Sequence, residues 1–339
     1  MRIIFELHHP KHYYQVKNIY NKFDNCLFVI KTKDILEDLL ISEGVEYVKI
    51  GNVKSGIFNK VFNSIGLMFA YSKVIKKFKP DVILSKASPY STFLSFFFSY
   101  KTIITPDSEV VGLTNKYVSK ISDLIITQHC FELNFGKKHV KLDTFFESCY
   151  LHNKYFKPNP DLLLKNGINP KEKIILLRFI SWGANHDIGK KGLSDLEKIE
   201  LVKKLESFGR VIISSEKKLP SELEGNKFNA PPNEMHQLMY YSSLYMGDSQ
   251  SMATEAALLG TPAIRCNSFV GPDDMSNFVF LEKQLDLLHN FSDIKQALDK
   301  AVELLEDDKS DLLWQKKKNS YFNSVQDPNK QLFNYINQI

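Results

Sequence analysis

The chain has 339 residues, 43% of them hydrophobic and 24% charged, with a formal net charge of +5. That composition is globular, the length favours two domains over one, and so mild a charge does not call for nucleic acid. Four scattered cysteines (Cys26, Cys130, Cys149, Cys266) form no Cys-x-x-Cys pair, which argues against a disulfide framework and a zinc site and fits a reduced, cytoplasmic setting.

Residues 2–7 read as a buried strand, too short in its apolar part for a signal peptide. The loop Leu7-His8-His9-Pro10-Lys11-His12 follows. A helix from about 13 to 23, a strand at 26–30, a helix at 34–42, a strand at 45–49 and a long amphipathic segment at 57–78 continue the alternation. Strand 81–85, helix 90–99 and strands 102–105 and 123–127 complete a first domain, 1–152. Strands alternating with helices imply a parallel sheet covered on both faces. The aromatic run 90–100 is broken by serines and falls short of the ~20 residues of a membrane span, so the expectation is a soluble or peripheral protein.

Residues 150–169 are polar and linker-like. The alternation then restarts with strand 173–180, helix 194–207, strand 210–214, helix 234–241, strand 244–246, helix 251–259, strand 262–266 and helices near 274–284 and 292–306. These make a second domain, 160–310. The tail 311–339 is helical and basic, with Lys316-Lys317-Lys318.

In open α/β sheets ligands bind outside the carboxyl ends of the strands, so the loops after strands carry the candidates. Ser249, Gln250 and Ser251 start a helix, placing hydroxyls and backbone N–H groups at the positive end of its dipole, which suits a phosphate. Glu255, one turn further in, is placed to accept hydrogen bonds from a diol such as a ribose. The plainer alternative has a serine capping the helix and Glu255 as a solvated acid. Arg178 lies inside the apolar run Ile174–Ile180, where an unpaired charge is costly, so it needs a phosphate or a buried carboxylate. Ser181 and the pair His186-Asp187 follow in the next loop, and Ser214, Ser215 and Glu216 follow the strand after that.

In the first domain His8, His9, Lys11 and His12 follow the first strand, and Lys86 and Ser88 follow the fourth. His-His-x-x-His is compact enough for a metal but has no carboxylate or cysteine beside it. His9 or His12 suits a phosphate contact or a general base better, or one merely caps the helix entered by Pro10. Asp107 and Glu109 are two apart after a strand; alternation points them to one side, where one carboxylate raises the other's pKa and makes a usable base. A surface turn is the alternative. Lys73, Lys76, Lys77 and Lys79 lie beside Phe-rich segments at 58–69 and 93–98. Such a surface rests on anionic lipid, unless the phenylalanines are core and the lysines solvated.

The Asp248-Ser249 turn, the glutamate at 255 and the Gly260-Thr261-Pro262 that follows resemble the nucleotide site of the non-hydrolysing UDP-N-acetylglucosamine 2-epimerases. Their pattern is Asp-Ser-Gly-Gly-x-x-Glu-Glu, in which the serine meets the diphosphate and the last glutamate the ribose. Here Asp248, Ser249 and Glu255 match, Gln250 and Ser251 replace the glycines, and Thr254 replaces the first glutamate. The resemblance implies the GT-B fold, shared with many nucleotide-sugar glycosyltransferases: two Rossmann-like doubly wound parallel-sheet domains, a cleft between them, and C-terminal helices (311–339) crossing back to the first. A resemblance covering nearly the whole chain, carried by 177–187, 213–216 and Arg265-Cys266-Asn267-Ser268-Phe269-Val270-Gly271, is to the family catalogued as domain of unknown function 354. It implies the same fold and no settled activity.

The expectation is a GT-B glycosyltransferase using a nucleotide-activated sugar, a UDP-sugar by the resemblance, on a glycan or lipid-linked glycan acceptor in surface polysaccharide synthesis at the inner face of the membrane. Arg178, Ser181, His186, Ser214, Ser215, Glu216, Ser249, Gln250, Ser251 and Glu255 hold the donor. His9, His12, Asp107 and Glu109 are the candidate bases. No Asp-x-Asp is present, so no metal and no further cofactor is expected. The first alternative is an epimerase, against which Leu7-His8-His9-Pro10-Lys11 replaces the Gly-Thr-Arg-Pro-Glu type loop and no clear acid stands near 114–116. The second is a non-enzymatic nucleotide-sugar sensor or scaffold.

Overall fold

A computed structural model describes residues 1–32, 34–52, 57–110, 112–180, 193–228 and 232–339. The chain divides into two compact units, residues 1–150 with 325–339 and residues 151–324.

In the first unit β1 (Arg2–Leu7), α1 (Pro10–Lys17), β2 (Asn25–Thr32), α2 (Asp34–Ser42), β3 (Tyr47–Asn52), α3 (Ile57–Phe78), β4 (Val82–Ser85), α4 (Pro89–Leu94), β5 (Lys101–Ile104), α5 (Gly112–Ile121), β6 (Leu124–Thr127) and β7 (His139–Lys141) follow in order. Among the described residues the strands form one seven-stranded parallel sheet, β3-β2-β1-β4-β5-β6-β7. The order reverses between β1 and β4. Strands covered on both faces read as near-continuous apolar runs, and β1 is buried from Ile3 to Leu7, with Glu6 its one charged residue there. On α3 Leu67, Tyr71 and Ile75 recur every four residues and pack on Ile4, Val29 and Ile83 of the sheet, the spacing that puts them on one helical face.

The short helix α6 (Ser148–Leu151) leads to α7 (Pro160–Lys165), β8 (Ile174–Phe179), α8 (Asp195–Leu205), β9 (Arg210–Ser215), α9 (Met235–Tyr241), β10 (Leu244–Gly247), α10 (Gln250–Leu259), β11 (Ala263–Cys266), α11 (Ser276–Lys283), β12 (His289–Phe291), α12 (Ile294–Glu306) and α13 (Ser310–Ser324). Among the described residues five strands pair in parallel as β12-β11-β10-β8-β9, with the reversal between β8 and β10. Helix α8 opens with a capping box between Ser194 and Glu197, and α10 closes on Gly260 in the left-handed conformation, φ 77°, where a Cβ is disfavoured.

The basic tail does not stay whole. Trp314 donates to the Leu287 carbonyl at 2.9 Å and Gln315 to that of Leu259 at 2.9 Å, which keeps α13 in the second unit. Asp327 caps a new helix, α14 (Pro328–Asn337), and its Asn329 Nδ2 donates to the Cys149 carbonyl at 2.7 Å within the first unit. Pro328 cannot continue a preceding helix, which is why the break falls there. The linker-like stretch 150–169 contains α7, and the sequence reading passed over α5, β7 and β12.

Candidate functional site

Where the strand order reverses, neighbouring loops part and leave a crevice at the carboxyl edge. In the second unit that edge is built by β8 and β10. Gly247 ends β10 against Arg178: a Cβ at 247 would meet the Arg178 Cβ, the Arg178 carbonyl oxygen and the Tyr245 hydroxyl, each at 2.8 Å. Two of those neighbours cannot rotate away. The Asp248 carboxylate then accepts from the Ile180 N–H at 2.8 Å, and Asn267 Nδ2 donates to the Asp248 carbonyl at 3.2 Å. The turn after β10 is thus tied to the ends of β8 and β11.

Arg178 donates through Nη1 to Ser214 Oγ at 2.8 Å and through Nη2 to Glu216 Oε1 at 2.6 Å. Arg178 is half-buried and its carboxylate partner Glu216 is exposed, so the buried carboxylate expected as one of its two partners is not what it meets. Its Nε is buried with no hydrogen-bond partner among the described residues. Ser215 turns aside, its hydroxyl bonding the Lys217 carbonyl at 2.9 Å. Ser249 caps α10, accepting from Met252 N–H at 3.4 Å; Gln250 and Ser251 lie half-buried in the first turn. Glu255 is no solvated acid: it is 7% exposed, 3.3 Å from His236 Nε2. Ser181 and His186 lie outside the described residues.

A cavity of about 250 Å³ opens at this edge. Arg178, Asp248, Asn267 and Asp293 line its polar side, and Leu193, Leu201, Met246 and Ile294 its apolar side. Behind it Arg265 is fully buried; it donates to Asn290 Oδ1 at 2.8 Å, pairs with Asp274 and stacks 3.6 Å from the centre of the Phe278 ring.

In the first unit the order reverses between β1 and β4, so the loops after these two strands are the corresponding place for a ligand. Glu6, buried in β1, binds Lys31 Nζ at 3.1 Å and His8 Nε2 at 2.9 Å. Burial opposes its charge, but Lys31, His8 and the Ser88 hydroxyl hold its pKa below the usual carboxylate range. The His8 N–H donates to His12 Nδ1 at 3.1 Å, which leaves the proton on Nε2 in the neutral ring. Burial, with Lys86 and Lys11 nearby, drives the His12 pKa well below its ordinary value. His9 caps α1, its Nδ1 accepting from Lys11 N–H at 3.3 Å, the plainer of the two roles foreseen. Ala87, in the loop after β4, sits at φ 64°, a strained conformation for a residue with a Cβ.

Asp107 and Glu109 do not form the coupled pair that alternation suggested. The strand β5 ends at Ile104 and Pro106 follows, so the two-residue alternation does not extend to them. Asp107 binds Lys11 Nζ at 2.5 Å and Lys86 Nζ at 3.6 Å. Although burial opposes its charge, these lysines and His12 depress its pKa rather than raise it. Glu109 accepts from the Glu132 N–H at 3.3 Å. The carboxyl group of this unit that burial does push up is Glu147, 8% exposed, against the opposing charges of Lys11 and Lys86. Sequence reasoning missed Glu6, Lys31 and Glu147. Glu6 was open to the argument used for Arg178, a charge inside an apolar strand; Glu147 carries no sequence signal.

Residues 4–337 match the family described as protein of unknown function (DUF354). The chain belongs to that family. Over the whole length of both chains it is similar to the UDP-GlcNAc 2-epimerase from Methanocaldococcus jannaschii, at 13% identity and TM-score 0.68, and to Acinetobacter baumannii MurG, at 13% identity and TM-score 0.59. These likenesses show the GT-B fold for this chain. Over 126 residues, 34% of this chain and 35% of the other, it is 28% identical to the UDP-N-acetylglucosamine--N-acetylmuramyl-(pentapeptide) pyrophosphoryl-undecaprenol N-acetylglucosamine transferase of Pediococcus pentosaceus. The match thus spans about a third of that relative.

Proposed function

We propose that this protein is a glycosyltransferase whose second unit binds a nucleotide-activated sugar, a UDP-sugar in the first instance. The observation that carries it is the crevice between β8 and β10, where the cavity beside Arg178, Asp248 and Asn267 adjoins the turn that opens α10. Ser249, Gln250 and Ser251 stand at the positive end of that helix, where a diphosphate is favoured, and Arg178 supplies a guanidinium for charge-assisted bonds. The MurG-like relatives support transfer; the names of the epimerases and of the Pediococcus transferase support UDP and N-acetylglucosamine.

The first unit takes the acceptor, a glycan or lipid-linked glycan in surface polysaccharide synthesis, at the cytoplasmic face of the membrane. His12, neutral with its proton on Nε2, donates a hydrogen bond to the acceptor. Glu147, whose burial favours proton uptake, serves as the general base in place of Asp107. Lys86 and Lys11 then keep Asp107 charged and the site polarised. The absence of an Asp-x-Asp in the sequence supports metal-independent transfer, with Arg178 and the start of α10 stabilising the leaving diphosphate.

Epimerisation is the second reading, favoured by the TM-score of 0.68 to an epimerase. Incubating the protein with UDP-N-acetylglucosamine alone and following the sugar by proton NMR separates the two. A transferase leaves the C2 configuration unchanged and releases UDP only when an acceptor is added; conversion of the sugar without acceptor establishes the epimerase instead.

A further inference from the structure

Helices α3, α4 and α5 follow the strands β3, β4 and β5 and pack side by side in the first unit, α3 on α4 and α4 on α5. Their inner faces supply Leu67, Tyr71, Ile75, Leu94 and Val118 to the core. The outer face is not what an ordinary solvated layer presents. Phe69 is 68% exposed, and Phe96 and Phe97, in the turn that ends α4, are 65% and 67% exposed. Phe93 adjoins them, its ring 6.1 Å from Phe96 and 5.5 Å from Phe97. Single exposed apolar residues are normal, but grouped aromatic rings mark a surface that meets something.

The charge of this layer is one-sided. Residues 53–80, 82–100 and 111–122 contain no Asp or Glu, in a chain with 39 of them. Lys73, Lys76 and Lys77 stand exposed on α3, and Lys116 and Lys120 on α5. The acids at the border are engaged: Asp123 binds Lys101 Nζ at 3.0 Å and Asp81 accepts from the Arg2 N–H at 2.7 Å. We propose that this face docks on an anionic lipid bilayer, the phenylalanine rings entering the headgroup region and the lysines meeting the anionic headgroups. Charge complementarity selects this occupant: a second copy of the same face would set lysines against lysines. The proposal stands apart from the nucleotide reading and fails or holds without it.

The test is co-sedimentation of the full chain with phosphatidylcholine vesicles, with and without phosphatidylglycerol. Two variants, Phe96→Ser/Phe97→Ser and Lys76→Glu/Lys77→Glu, change only exposed side chains, and circular dichroism checks that each stays folded. Binding to the anionic vesicles alone is expected, weakened by salt and reduced roughly tenfold or more in each variant. No sedimentation, equal binding to both vesicles, or parental binding by both variants overturns the proposal. So does a dimer in solution that the phenylalanine variant disperses, because the face then belongs to a second copy.

Discussion

Gly247 and Arg178 are packed so closely at the ends of β10 and β8 that a single methyl group between them has no place: its carbon would lie 2.8 Å from both the Cβ and the carbonyl oxygen of Arg178. The close approach sets where the guanidinium stands relative to the turn that opens α10. Gly247→Ala is therefore expected to force β8 and β10 apart, at a cost on the order of 1–3 kcal/mol, or a fall in Tm of roughly 2–12 °C. It should weaken nucleotide binding as well. A calorimetric scan with and without UDP checks both, and an unchanged Tm would show that the strands yield more easily than the geometry implies.

Much of this arrangement was legible in the sequence, because the signals involved are local. Gly260 as the stop of α10 and Ser249 at its start depend on residues within one turn, and a charge inside the run Ile174–Ile180 announces Arg178. Less was legible in the first unit. The two-residue alternation that placed Asp107 with Glu109 holds only in an extended strand, and Pro106 follows the end of β5. β7 and β12 are three residues each, too short for periodicity to register. The electrostatic influence of Lys11 and Lys86 on Glu147 joins residues far apart in the chain, which no local pattern encodes.

Glu6, fully buried in the first sheet, forms an ion pair with the half-buried Lys31. Glu6→Gln leaves the Lys31 ammonium without its charge partner, and breaking such a pair costs about 3–5 kcal/mol. Chemical denaturation should show that loss at neutral pH. In the parent, the Glu6 pKa is lowered in the fold, so its contribution is present above the ordinary carboxylate value and disappears as pH falls below about 4.5. The variant's denaturation midpoint should lose that acid-dependent step.

His12 gives a second pH dependence, at milder acidity. Its pKa is depressed in the folded chain, so the unfolded chain binds the extra proton first. Stability should be full above the ordinary imidazole value of 6.5 and decline as pH falls below it. His12→Gln should flatten the slope between neutral pH and pH 5 in denaturant titrations. An unaltered slope would place the titrating group elsewhere.

The proposed division of labour between the units predicts that binding and turnover separate. Glu147→Gln is expected to lower the transfer rate by ~10²–10⁴ with UDP affinity unchanged, and His12→Ala to lower it less. Glu109→Gln should do little, since Glu109 bonds the Glu132 backbone. Single-turnover assays on these variants decide it; a large loss in Glu109→Gln with none in Glu147→Gln would return the base to Glu109.

The most direct measurement is titration calorimetry of the full chain with UDP. Binding at one site per chain is expected, weakened in Arg178→Ala by about 1.5–3 kcal/mol, or roughly tenfold or more. It should also weaken in Ser249→Ala and persist unchanged in Glu147→Gln. Absence of binding to UDP and to UDP-sugars, or parental affinity in both Arg178→Ala and Ser249→Ala, would contradict a nucleotide site at the ends of β8 and β10.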